Sequence, residues 1–166
     1  MGVKREALEN GKVLQILIEQ FANNRTEQNL YALLRCLRDS FVWIPGNFIM
    51  NKEDKEKFIN ATVGEIVTND FDMKFEPDIL QNGEDKFYPV FSNIEAMGEY
   101  GNNFSKIEKH FFEAMSYAMG KEETVGIVVD AFTNPFVVPK DWFEDVSTIP
   151  TNIIEDEVEN GNGKEN

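Results

Sequence analysis

Cysteine and histidine are almost absent from this chain of 166 residues, with one of each. Cys36 cannot form an internal disulfide, which fits a reducing compartment. His110, as the sole imidazole, would have to carry any Ser-His-Asp arrangement or histidine metal site. No Gly-x-Ser-x-Gly or His-Glu-x-x-His occurs, and there is no glycine-rich phosphate loop; Gly98-Glu-Tyr-Gly101 reads as a helix end. Long apolar runs are also missing: those at 126–129 and 136–138 are of strand length and far short of a membrane span. Residues 1–10 carry acidic side chains where a signal peptide needs an apolar stretch, so export is not expected. Basic residues are the scarcest relative to their opposites, 16 Lys/Arg against 30 Asp/Glu for a net charge of −14. Residues 1–40 are near neutral, with six basic and five acidic, while the remainder holds ten against twenty-five. A body this acidic repels phosphate backbones and anionic membranes, so neither nucleic acid nor a membrane surface is an expected partner. The charge suits a soluble cytoplasmic protein.

What the chain has in quantity is apolar bulk. With 42% hydrophobic residues and 14 Phe it can bury a sizeable core, and its length suits one domain. We expect that domain over 1–149 and a disordered acidic tail over 150–166, where Ile153, Ile154 and Val158 are the only apolar residues. Apolar spacing predicts one helix over 3–22, weakened at Gly11, and a second after the N-cap Thr26, with Leu30, Leu33, Leu34 and Leu37 on one face. The two form an N-terminal helical hairpin (1–39). Residues 40–45 then read as a strand ending at Pro45-Gly46, with Trp43 buried between sheet and hairpin. A strand is expected at 61–68, and a β-hairpin turning at 81–85 comes next. A helix capped by Ser92 and Glu95 runs to about Gly101. Ser105 and Glu108 form a second capping-box pattern, which leaves 103–107 open between strand and helix; a helix is expected from 109 to 119. Strands at 124–129 and 136–138 and a short helix after Pro139 complete an α+β fold with a mixed sheet.

Two segments carry a resemblance. Lys86-Phe-Tyr-Pro-Val-Phe-Ser-Asn93 is a strand that hands over to a helix, and Val125-Gly-Ile-Val-Val-Asp-Ala-Phe-Thr-Asn-Pro-Phe-Val-Val-Pro139 is a buried strand, a loop and a return strand. Together they resemble the amino-terminal domain of the SseB family, bacterial proteins named for an enhanced serine-sensitivity phenotype. In that family an aromatic Pro-Val-Phe-Thr-Ser strand end precedes a helix, and Gly-Ile-Val-Ile-Asn-Pro-Phe lies downstream. The similarity runs from about Ser40 to Val146. Ser92-Asn93 stands where the family has Thr-Ser, and Asp130-Ala131 replaces Asn-Pro. The resemblance implies an α+β fold with a short strand near 103–107, and it lends no defined chemistry.

The residues themselves point to a surface rather than a reaction. The loop 130–136 comes directly after the most apolar strand, where open sheets place their ligand crevices, and Trp142-Phe143 come soon after. Asp130, Phe132, Asn134, Phe136 and Trp142 are therefore the candidate binding residues, against the alternative that Phe132, Phe136 and Phe143 fill the core. Asp70, Asp72, Glu76 and Asp78 alternate in a way that would suit a cation or an acid–base pair, but such clusters are common in so acidic a chain. No catalytic residue, metal site or cofactor is assigned. The expected function is a non-catalytic protein-interaction or regulatory module. A small-molecule binding domain, amino-acid related if the family name is a guide, is the alternative, and a hydrolase or transferase comes third.

Overall fold

The computed structural model describes residues 2–50, 52, 53, 56 and 73–154. The hairpin forms as the leucine spacing requires, but its first helix starts later than the spacing suggests. Gly11 adopts φ 76°, a left-handed conformation that ends helical geometry on its N-terminal side. Helix α1 therefore covers Lys12–Asn23. Before it lie a short strand β1 (Val3–Lys4) and a 3-10 turn (Arg5–Leu8). Helix α2 is Glu27–Arg38, and the Thr26 hydroxyl accepts from the Asn29 amide at 3.1 Å as a cap. Leu14, Ile18, Leu33, Cys36 and Leu37 turn their side chains into the core.

Strand β2 (Phe41–Met50) passes straight through Pro45 and Gly46, where the sequence suggests an end. The Pro45 carbonyl accepts from the Asp78 amide at 2.9 Å, and a Cβ at Gly46 would collide with the Glu76 carbonyl, so the glycine permits the close crossing of the next strand. That strand bends. Its first half, β3 (Met73–Pro77), pairs antiparallel with β2, and its second half, β4 (Leu80–Asn82), pairs antiparallel with β5 (Asp85–Val90) across a turn at Gly83 (φ 66°). Residues 105–110 are strand β6, antiparallel to the other edge of β2, and they lead into helix α3 (Phe111–Met119). The helix cap belongs to His110, whose Nδ1 accepts from the Phe112 amide at 3.0 Å. Strand β7 (Thr124–Val129) runs parallel to β5, and β8 (Phe136–Pro139) returns antiparallel beside it. A 3-10 turn (Lys140–Trp142) leads into helix α4 (Phe143–Thr148).

The strand orders are β3-β2-β6 and β4-β5-β7-β8. The two sheets meet where Trp43 and Phe91 exchange a pair of backbone hydrogen bonds of 2.8 and 2.9 Å. The fold is α+β. Its main core packs the helices on the β5/β7 face, with Leu33, Leu37, Ile44, Phe111, Ile127 and Val129 fully buried, each contributing on the order of 1.5 to 3 kcal/mol. A smaller cluster of Phe91, Ala96 and Met97 lies apart from it. Trp43 belongs to this second cluster, only partly buried, instead of lying under the helical hairpin.

The expected tail is tied down at its start. Arg38 Nε donates to the Ile149 carbonyl at 2.6 Å, and the buried Asp39 carboxylate accepts from Thr151 Oγ1 at 2.7 Å and the Asn152 amide at 2.8 Å. Strand β9 (Ile153–Ile154) then pairs parallel with β1. These contacts tie 150–154, read from the sequence as tail, to the fold; the Asp39 bonds and the ladder with Val3 and Lys4 hold the segment although Ile153 is half-buried and Ile154 exposed. Residues 155–166, and the strand expected at 61–68, lie outside the described residues.

Candidate binding site

Parallel pairing brings the C-terminal ends of β5 and β7 to the same edge of the sheet, since Val90 stands opposite Val129. The next residues on the two strands, Phe91-Ser92 and Asp130, meet there. Asp130 is 2% exposed and takes φ 54°, the one non-glycine residue with positive φ among those described. Aspartate tolerates the left-handed region better than most residues, and its contacts hold it there. Its amide donates to the Val90 carbonyl at 3.0 Å, Oδ1 accepts from the Ser92 amide at 2.8 Å, and Oδ2 accepts from Ser92 Oγ at 2.7 Å.

The Ser92 hydroxyl in turn accepts from Gln15 Nε2 of α1 at 2.8 Å. Asn93 Nδ2 donates to the Asn10 carbonyl at 2.9 Å, and a Cβ at Gly11 would collide with the Ser92 carbonyl. Two strand ends and the start of a helix are thereby held in one network, buried at Asp130 and Ser92 and reaching the surface at Asn93. Burial pushes the Asp130 carboxyl above the usual carboxylate range, and the two bonds from Ser92 oppose that shift.

Ser92 does not cap a helix. Its hydroxyl is committed to Asp130, so Asn93 Oδ1 accepts the Ala96 amide at 2.9 Å instead. The chain then enters a 3-10 segment (Glu95–Asn103) interrupted by Gly98 at φ 61°, and no regular helix forms. Between this segment, α1 and the loop after β7 lies an open groove of about 310 Å³, with buried Ile18 and Ala96 at its floor and Lys12, Glu19, Glu95 and Asn134 among its walls.

The structure divides the five candidates. Asp130 and Asn134 line the groove. Phe132 is 52% exposed, yet it stacks on Phe91 (centroids 6.0 Å, 21°) and leans on Tyr100 at 4.9 Å. The Tyr100 hydroxyl donates to Asp78, which seats that ring. Phe136 points the other way, buried edge-on against Phe21 at 5.9 Å, and half-buried Trp142 packs beside it at 6.5 Å. Phe136 belongs to the core, turned by β8 towards Phe21 of α1, and Trp142, in the 3-10 turn after β8, packs against that core. Gln15, Ser92 and Asn93 join the site without having been candidates. The capping-box pattern at Ser92 conceals its long-range partner.

Among the described residues, Cys36, His110, Glu76 and Asp78 are engaged in contacts within the fold. Cys36 is buried with its thiol pushed up to about 11 by desolvation. Burial lowers the pKa of His110, in the direction that favours the neutral ring whose Nδ1 accepts at the cap. Glu76 pairs with Lys121 at 3.7 Å while Asp78 serves Tyr100, so that pair of carboxylates does not converge; Asp70 and Asp72 lie outside the described residues. Among the described residues no helix is long and apolar enough to cross a membrane. No protein-family model, no curated protein and no solved structure matches this chain.

Proposed function

We propose that this chain is a non-catalytic protein-interaction module, SseB-like and cytoplasmic, that binds its partner through the loop 130–136 and the adjoining 3-10 segment. The observation that carries this reading is Phe132, a half-exposed aromatic ring held in place by two further rings. Binding energy concentrates in aromatic side chains that lose little freedom on association, because the ordering cost is met when the free protein folds. The Asp130–Ser92 network supplies the same rigidity to the backbone beneath it. In support of a non-catalytic role, Asp130, His110 and Cys36 are each engaged in contacts that hold the fold together.

The test is capture from a native lysate with the wild type, Phe132→Ser and Tyr31→Ser. Tyr31 is exposed on α2, distant in sequence from the loop. The expected result is at least one protein retained by the wild type and by Tyr31→Ser but lost from Phe132→Ser, with circular dichroism unchanged in all three. Retention of every partner by Phe132→Ser would place the interaction elsewhere.

A further inference from the structure

We infer that the groove beside Phe132 receives a lysine or arginine side chain from an extended segment of the partner protein, an inference that rests on reading this face as an interaction surface. The groove is amphipathic in the way such a side chain is. Its floor, Ile18 and Ala96, is apolar and buried, and its rim carries the carboxylates of Glu19 and Glu95. A lysine or arginine lays its methylene stem on apolar surface and keeps its charged head among polar groups. Asp130 also lines the groove but is buried with both carboxylate oxygens held by Ser92, so the charge on offer is that of the two glutamates, with Lys12 the basic residue against them among the described lining.

Within the described residues neither Glu19 nor Glu95 has a cation at ion-pair distance, so both have charge to offer a partner. An acidic side chain would meet like charge there, and a neutral aliphatic one would desolvate the carboxylates without pairing them. The chain's net charge of −14 steers cationic segments toward it. Phe132 adjoins the wall residue Thr133, and an extended chain advances roughly 3.3 Å per residue.

Immobilised short-peptide sublibraries that share a central Arg, Lys, Gln or Glu in otherwise random sequence test this, with the full-length chain as the soluble ligand. The Arg and Lys sublibraries should retain about tenfold more protein than the Gln and Glu ones, a difference of about 1.4 kcal/mol. That preference should shrink as salt rises from about 50 to about 300 mM. The double variant Glu19→Gln/Glu95→Gln, both exposed positions, should lose the preference and keep the wild-type melting curve.

Equal retention of the Gln sublibrary, an undiminished preference in the double variant, or no retention of any sublibrary would overturn the inference. Phe132→Ser separates it from the broader reading. If that variant weakens all sublibraries alike while Glu19→Gln/Glu95→Gln changes nothing, the surface stands and the cationic occupant does not.

Discussion

Asp39 and Asp130 are both buried aspartates at the ends of regular elements, yet their surroundings give them different work. Asp39 closes α2 beside a cation: Arg38 Nη1 lies 3.1 Å from Oδ1, and Thr151 and Asn152 fill the remaining acceptor positions. Its bonds reach the end of the described chain, where β9 meets β1, so the carboxylate clasps the two terminal segments over the hairpin. Among the described residues Asp130 has no cation at ion-pair distance. Two donors from one serine hold it, its backbone is left-handed, and its protonated form is favoured by burial. The first site compensates a buried charge with an opposite charge and serves the fold. The second has dipoles alone as its partners; it ties the ends of β5 and β7 together beside a groove and next to a half-exposed ring.

The largest expected effect falls on the first site. Removing one member of a buried pair leaves the other uncompensated, so Asp39→Ala should lower stability by about 3 to 5 kcal/mol in urea unfolding. A loss below about 1 kcal/mol would mean that Arg38, stacked on Phe112 at 4.8 Å, finds solvent or another acceptor. Cutting the chain after Pro150 rather than after Ile154 should cost about 1 to 3 kcal/mol. It removes the Thr151 and Asn152 donors and the β1–β9 ladder together. Equal melting temperatures for the two truncations would show that the clasp contributes nothing.

At the second site Asp130→Ala should cost about 1 to 3 kcal/mol in the same urea unfolding, because the Ser92 amide loses its acceptor in a buried place. Asp130→Asn should be close to neutral, since the amide oxygen accepts from the Ser92 amide, the amide nitrogen donates to Ser92 Oγ, and asparagine tolerates positive φ.

The smallest effect is on pH dependence, and the raised carboxyl sets its sign. The folded state binds the Asp130 proton more tightly than the unfolded state does. The charged form therefore detracts from stability at neutral pH, and the deficit is relieved as pH falls through the raised folded value toward the ordinary carboxylate range. Between about pH 7 and about pH 4 the wild type should gain stability relative to Asp130→Asn. A relative loss over that interval would mean that the Ser92 bonds outweigh desolvation.

Local pattern makes the helices and the central strand legible. Leu30, Leu33, Leu34 and Leu37 with the Thr26 cap define α2, and the run Val125 to Val129 defines β7. The same local rules mislead wherever a distant partner competes. Ser92 and Ser105 each stand three residues before a glutamate, and neither caps a helix: Ser92 is taken by Asp130, 38 residues away, and Ser105 lies in a strand paired with Gly46. Gly11 reads as a weak point within a helix, and its close approach to the Ser92 carbonyl is visible only once the two segments meet. Asp130 and Asn134 are legible because they come after an apolar strand. The opposite fates of Phe132 and Phe136 are not, since sequence does not say that Phe91 and Tyr100 wait beside the loop or which way β8 turns Phe136.

If recognition lies in the Asp130 region as proposed, it should be separable from the stability supplied by the Asp39 region, and one comparison tests that division directly. It is the affinity of a partner captured by the wild type for Asp130→Ala and for Asp39→Asn, measured by calorimetry at a temperature where both variants are fully folded. Asp130→Ala, which frees the backbone beneath Phe132, should weaken binding by about tenfold or more, while Asp39→Asn should stay within about twofold of the wild type. Equal losses in the two variants, or a larger loss in Asp39→Asn, would contradict the division.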